Sequence, residues 1–189
     1  MLSRPQADGV LLLCLDALTL ASDSDAGRTV ANSAWRARAA GLLDHARLEG
    51  WTVGHVITRR PRSGAASWQP SDGLAPLPSE PVYHRDGPSA FSSDELCAVL
   101  TGFVRPEVVL CGASVNGSGL ASALDAQRLG VRLTLAGDAI GLTPAEHPGL
   151  EGLLRLQRMG HLPSLVRQAA TEALMRPWRS LRIVKGGRC

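Results

Sequence analysis

Apolar residues occur along the chain in short continuous runs separated by segments with helical spacing. Runs without polar interruptions are typical of strands buried on both faces of a parallel sheet. Residues 9–15 form such a run, 107–111 are a further apolar strand, and the mixed segments 51–58 and 131–136 are also predicted to be strands. Helical spacing predicts helices over residues 28–48, from Ser92 or Ser93 to 100, and over 120–129, 145–159 and 163–175.

This alternation of strands and helices predicts an α/β domain with three α/β/α layers and a mostly parallel, Rossmann-like sheet. We place the domain at residues 1–176 and a basic tail at 177–189. Residues 59–81 are rich in Pro, Gly, Ser and Arg and predict a long loop. Loops of this length in a compact domain are often functional.

Composition narrows the classes of function. The net charge is +3 and most basic residues are dispersed, which argues against nucleic-acid binding. No apolar stretch is long enough to cross a membrane, and no secretion signal is evident. The four cysteines form no CxxC pair, which favours a reducing compartment. We expect a soluble, cytoplasmic protein that binds a small molecule and contacts neither nucleic acid nor membrane.

Candidate chemistry lies where predicted strands end. Asp16, the turn at residues 112–119 and Asp138 all follow strands. In open α/β sheets, ligands bind beyond the carboxyl ends of the strands. Taken alone, Asp16 is equally compatible with a strand-end cap, and Asp138 with a residue that only holds the next loop.

Three stretches, between about residues 9 and 170, resemble the isochorismatase-like cysteine hydrolases. The first is the apolar strand that ends at Asp16, where the family has a catalytic aspartate. The second is His84-Arg-Asp-Gly-Pro-Ser-Ala-Phe91, similar to the family's Lys-x-x-x-Ser-Ala-Phe. The third begins at Gly112 and continues through Ser118 to Asp125-Ala126, similar to the family's segment around its nucleophilic cysteine. Asp138-Ala139 then matches the Asp-Ala that follows.

The resemblance implies roles for particular residues. Asp16 corresponds to the acid/base, and the cysteine would attack an amide carbonyl. The family's non-proline cis peptide would fall at Ala113–Ser114, and the N–H groups of Ser114 and Ser118 would form an oxyanion hole. His84, Phe91 and Asn116 would line the pocket, although His84 also suits a structural role. A homo-oligomer is implied as well.

No cofactor is expected, and neither is a metal. The metal-binding relatives carry an Asp-x-His-x-x-x-His segment after the second strand, and the corresponding stretch here has neither Asp nor His.

Two of the three catalytic positions depart from the pattern that the resemblance implies. Arg85 stands at the lysine position and Ser118 at the cysteine position. The only lysine in the chain is Lys185, in the tail, so no realignment restores it.

Three uses of the site remain open. Ser118 could act as nucleophile with Asp16 as base, which is the weakest option because a hydroxyl needs a strong base. Asp16 could protonate a vinyl ether without any cysteine, while Arg85 pairs with a substrate carboxylate. Alternatively, the chain is a pseudoenzyme retained for binding, assembly or regulation.

Overall fold

The computed structural model describes residues 9–16, 18–20, 34–59, 68–70, 73–103, 106–114 and 117–176. The strands in chain order are β1 (Val10–Leu15), β2 (Leu18–Leu20), β3 (Thr52–Thr58), β4 (Trp68–Pro70), β5 (Val82–Arg85), β6 (Glu107–Ala113), β7 (Arg132–Gly141) and β8 (Val166–Ala169). Six of them form one sheet in the order β5-β3-β1-β6-β7-β8, with every neighbouring pair parallel. The short strands β2 and β4 pair antiparallel with each other.

Helices cover both faces of the six-stranded sheet. They are α1 (Ala34–Leu48), α2 (Asp94–Leu100), α3 (Ser118–Leu129), α4 (His147–Arg158) and α5 (Thr171–Leu174). Leu12 and Cys14 of β1 belong to the apolar cluster that includes residues of α1 and α5, whereas Leu11 and Leu13 belong to the cluster that includes residues of α2, α3 and α4. The predicted three-layer fold is confirmed. Among the described residues, no helix is both long enough and apolar enough to cross a bilayer.

The C-terminal end of the domain corrects one prediction. The helix predicted over 163–175 is wrong, because Val166–Ala169 form β8 and only Thr171–Leu174 are helical. The side-chain amide of Gln157 bonds both the N–H and the carbonyl of Val166, each at 2.9 Å, and β8 pairs with β7. These tertiary contacts override the helix propensity of the segment.

The strand order places two chain segments next to each other at the centre of the sheet. Counted along the chain, the six strands run 3-2-1-4-5-6, and the order reverses between β1 and β6. Such switch points are where α/β sheets bind ligands. Gly112 permits the close approach there, since its φ is +102° and a Cβ would lie 2.3 Å from the carbonyl oxygen of Leu15. The end of β6 therefore packs directly against the residue before Asp16.

Candidate functional site

Asp16 lies at the carboxyl end of β1 and is 6% exposed. Its backbone N–H donates to the carbonyl of Val56 at 2.8 Å. Its carboxylate Oδ1 accepts two hydrogen bonds from Thr58, one from the backbone N–H and one from the hydroxyl, both at 3.0 Å. Among the described residues, Asp16 is the only non-glycine residue with a positive φ, at +40°. Hydrogen bonds from β3 thus fix the orientation of the Asp16 carboxylate.

Arg85 lies at the end of β5, is 2% exposed and meets Asp16 directly. Its Nη2 donates to Asp16 Oδ2 at 2.5 Å. Its Nη1 donates to the carbonyl of Gly87 at 2.7 Å and also to that of Pro88. Its Nε is buried without a hydrogen-bond partner. The structure therefore brings these two predicted site residues together as a buried ion pair, and the terminal guanidinium nitrogens are directed at the chain itself.

Ser118 begins α3 and is fully buried. Its Oγ has no hydrogen-bond partner, so neither Asp16 nor Arg85 contacts it by a hydrogen bond. Its carbonyl accepts a hydrogen bond from the hydroxyl of Ser122 at 2.7 Å. Among the described residues, no base is hydrogen-bonded to the position predicted for a nucleophile.

The Ser-Ala-Phe segment forms a 3₁₀ turn that connects β5 to the helical layer. The Oγ of Ser89 caps this turn by accepting from the N–H of Phe91 at 3.1 Å, and the N–H of Ala90 donates to Ser122 Oγ at 2.8 Å. Phe91 belongs to the apolar core and is 6% exposed. His84, the other predicted pocket residue of this region, is exposed on β5. Asn116 lies outside the described residues.

The turn after β6 differs from the expectation drawn from the resemblance. The peptide bond between Ala113 and Ser114 is trans, so the predicted cis bond is wrong. The N–H of Ser114 donates to the carbonyl of Gly141 at 3.2 Å and therefore continues the pairing of β6 with β7. It is not available to an oxyanion. The positive φ of Gly112 turns the chain here with a trans peptide.

Glu146 is a buried polar residue at this end of the sheet that sequence reasoning missed. Its Oε1 accepts from the Ser114 hydroxyl at 2.5 Å and from the N–H of Leu120 at 3.1 Å. Its Oε2 accepts from the N–H and hydroxyl of Thr143 at 2.8 and 2.9 Å. Burial alone would raise the pKa of Glu146, but these hydrogen bonds outweigh it and lower the pKa.

Glu146 supplies a fixed negative charge at the positive end of α3, because its carboxylate binds an N–H of the first turn. The Thr143-Pro-Ala-Glu146 spacing, which is that of a capping box, is the sequence signal that could have revealed it. The Glu146 carboxylate thus occupies the N-terminal end of α3, where an oxyanion would be stabilised.

Asp138, the remaining polar candidate from the sequence, is hydrogen-bonded to the first residue of α5. Asp138 lies within β7 and accepts from the N–H and hydroxyl of Thr171 at 2.8 and 2.9 Å, so it anchors α5. Within the described part of the chain, no group of three or more His, Cys, Asp or Glu side chains is arranged to hold a metal ion.

Comparison with known proteins identifies the family. The model of the isochorismatase domain matches residues 11–163. The chain belongs to the isochorismatase family. A search of curated proteins finds no match to it.

Solved structures agree with the isochorismatase-like fold. An isochorismatase from Pseudomonas putida KT2440 is 23% identical, with 87% of this chain and 89% of that chain covered and a TM-score of 0.62. An isochorismatase-like hydrolase from Alkaliphilus metalliredigens is 16% identical, with 90% and 99% covered and a TM-score of 0.65. An N-carbamoylsarcosine amidase from Thermoplasma acidophilum is 14% identical, with 87% and 97% covered and a TM-score of 0.59. At these identities the likeness establishes the fold.

Proposed function

We propose that this chain is a catalytically degenerate member of the isochorismatase family, whose role depends on binding, assembly or regulation rather than on hydrolysis. One observation carries the proposal: both oxygens of Asp16 and both terminal nitrogens of Arg85 are held by the chain itself. A general acid or base must exchange its proton with the substrate at hydrogen-bond distance. Protonating Asp16 would leave the buried Arg85 guanidinium without its counterion.

The nucleophile position supports the same proposal. A serine hydroxyl attacks a carbonyl only when an adjacent base removes its proton. Ser118 Oγ is buried and accepts or donates no hydrogen bond. Arginine does not shuttle protons as lysine can, so Arg85 cannot take over the proton transfers of a lysine. Amide hydrolysis through Ser118 therefore lacks both a base and a proton carrier.

A second candidate function is cysteine-independent hydrolysis of a vinyl ether. The positive φ of Asp16 favours it, since backbone strain at a non-glycine residue is concentrated at functional sites. Asp16 would protonate the substrate carbon, water would add to the resulting oxocarbenium ion, and the adduct would collapse with release of an alcohol. For this reaction Arg85 has to exchange its contact with Asp16 for one with the substrate.

The two functions are separated by a turnover assay. The vinyl-ether substrate is isochorismate. The amide substrate is N-carbamoylsarcosine, which is taken from the name of the amidase that shares the fold. We expect the wild-type rate with either substrate to equal the rate of Asp16→Asn and of buffer alone. Asp86→Asn is the matched control, because Asp86 carries an exposed carboxylate one residue from Arg85.

Turnover that scales with the concentration of wild-type protein, persists in Asp86→Asn and disappears in Asp16→Asn would rule out the degenerate reading. Circular dichroism at the assay temperature establishes whether Asp16→Asn is folded. If it is not folded, turnover by the wild type and by Asp86→Asn contradicts the proposal by itself.

A further inference from the structure

A row of three chemically reactive side chains crosses the sheet on the face covered by α1, away from Ser118. In the strand register, Cys14 of β1 stands beside His55 of β3 on one side and beside Cys111 of β6 on the other. All three residues are fully buried. Register neighbours on parallel strands project to the same face and lie about 4.8 Å apart. This spacing lies within the range of about 4.4–6.8 Å that a disulfide requires between Cα atoms.

An acidic residue orients the histidine of this row. His55 Nε2 lies 3.0 Å from Glu80 Oε2. Arg47 of α1 binds the same carboxylate with a fork, Nε to Oε1 at 2.8 Å and Nη2 to Oε2 at 2.9 Å, and the N–H of Leu77 adds a bond at 2.9 Å. Burial would raise the pKa of Glu80, but these hydrogen bonds outweigh it and lower the pKa to about 2.

Glu80 acts on Cys14 indirectly, by changing the pKa of the His55 ring. Burial alone would lower the pKa of His55, but Cys14 and Glu80 on either side of the ring raise it. The neighbouring Cys111 thiol is the largest cause that lowers the pKa of Cys14, with burial opposing and His55 and Arg47 assisting. The same interaction with Cys14, together with burial, raises the pKa of Cys111.

One ring nitrogen of the row is left without a partner. His55 Nδ1 is buried and makes no hydrogen bond of ordinary geometry. An orphaned buried nitrogen is costly, and a redox or catalytic role or a bound species is among the reasons for which one is retained. A protonated His55 beside a Cys14 thiolate can use this nitrogen as a proton donor when the sulfur reacts. The row thus provides a cysteine and a histidine in adjacent register positions, with a carboxylate bound to the histidine.

We propose that Cys14 and Cys111 form a reversible redox pair that a small neutral hydroperoxide oxidises to a disulfide. The Cys14 thiolate attacks one peroxide oxygen, the O–O bond breaks, and the leaving hydroxide or alkoxide takes the proton of His55. The products are Cys14 sulfenic acid and water or an alcohol. The Cys111 thiol then attacks the sulfenic sulfur and a second water leaves, so that two thiols are oxidised as the peroxide is reduced.

Burial of the pair determines which oxidants reach it. Both sulfur atoms belong to fully buried residues, so bulky or charged reagents are excluded, and a small peroxide enters through local opening. Cys97 provides the internal comparison. It is more exposed, but burial raises its pKa and its thiol donates to the carbonyl of Phe91 at 3.2 Å. Accessibility alone would make Cys97 react first, whereas thiolate chemistry makes Cys14 react first.

The test is peptide mapping of the full chain after graded treatment with hydrogen peroxide. We expect the Cys14–Cys111 disulfide to form before any oxidation of Cys97 and to be reversed by dithiothreitol. In Cys111→Ser, the sulfenic acid at Cys14 is expected to persist and to be trapped by dimedone when the oxidised protein is then unfolded in denaturant. A bulky aryl disulfide is expected to leave both residues unmodified in the folded protein.

Glu80 is a positioning residue in this scheme, and a pH profile tests it. Cys14 interacts with Cys111, His55 and Arg47, and Glu80 in turn is hydrogen-bonded to His55 and Arg47. The reactive thiolate is present above its pKa, which is lowered, so the oxidation rate of the wild type rises with pH below the range in which an ordinary thiol ionises. In Glu80→Gln this rise should move to higher pH, and the exposed Glu49→Gln should leave it unchanged.

Three results would overturn the proposal. The first is oxidation of Cys97 ahead of Cys14. The second is a reaction of Cys14 with the bulky aryl disulfide that is as rapid as its reaction with hydrogen peroxide, which would indicate global opening. The third is an identical pH profile in the wild type and Glu80→Gln.

Discussion

Replacing Asp16 with asparagine is expected to lower the free energy of unfolding by about 3–5 kcal/mol, the usual cost of leaving one partner of a buried ion pair uncompensated. The substitution keeps the size of the side chain but removes the charge opposite Arg85, which is 2% exposed. The new amide also places a donor group among Thr58 and Arg85, which both donate to the carboxylate. Urea denaturation followed by circular dichroism measures the change.

The control for this measurement is Asp86→Asn. Asp86 pairs with Arg59, and its side chain is 70% exposed, so the loss should stay below about 1 kcal/mol. An unchanged or increased stability of Asp16→Asn would contradict the account. That outcome is typical of a catalytic group held in an unfavourable arrangement, for which removal relieves strain.

Substituting Gly112 with alanine is expected to be about as damaging as the change at Asp16. The new Cβ would lie 2.3 Å from the carbonyl oxygen of Leu15 and 2.7 Å from its nitrogen, so β1 and β6 would have to separate. Strain at a positive φ and overpacking each cost about 1–3 kcal/mol, and here they add. We expect a loss of about 3–5 kcal/mol in urea denaturation, or failure to accumulate as soluble protein.

Gly130→Ala separates the two causes. Gly130 has a φ of +73°, but a Cβ there would meet nothing within 4 Å. Its replacement should therefore cost only the conformational strain, about 1–2 kcal/mol. Equal losses for Gly112→Ala and Gly130→Ala would show that the contact with Leu15 does not matter. Such a result would contradict the claim that the ends of β1 and β6 pack tightly beside Asp16.

Burial explains which strands could be predicted from the sequence. The four central strands are enclosed by helices on both faces, so their sequences are mostly apolar and predict the strands. The predicted end of β7 at residue 136 is wrong, however, because the strand continues to Gly141. The two edge strands have little buried surface. Only Val166 of β8 is buried, and β5 alternates between buried and exposed residues over four positions. Edge strands of this kind owe their conformation to pairing with a neighbour, which a local pattern does not record.

The site was predictable in part for a similar reason. The proximity of Asp16 and Arg85 followed from the motif resemblance and from the rule that parallel strands end at one edge of the sheet. The closure of the pair was not predictable, because it depends on backbone carbonyls of Gly87 and Pro88 and on Thr58 from another strand. The trans peptide after Ala113 was missed because the pairing of Ser114 with Gly141 is also a tertiary contact.

The central claim is that the chain's own side chains keep the family site closed, and thiol labelling of Ser118→Cys tests it most directly. Ser118 is fully buried, whereas Ser164 is exposed and its Ser164→Cys variant serves as the reference. Iodoacetamide labelling, mapped by peptide mass, should be at least about 100-fold slower at position 118 than at position 164, because it waits for local opening. Labelling of position 118 within about threefold of the reference would show an open site with an accessible nucleophile position and would contradict the account.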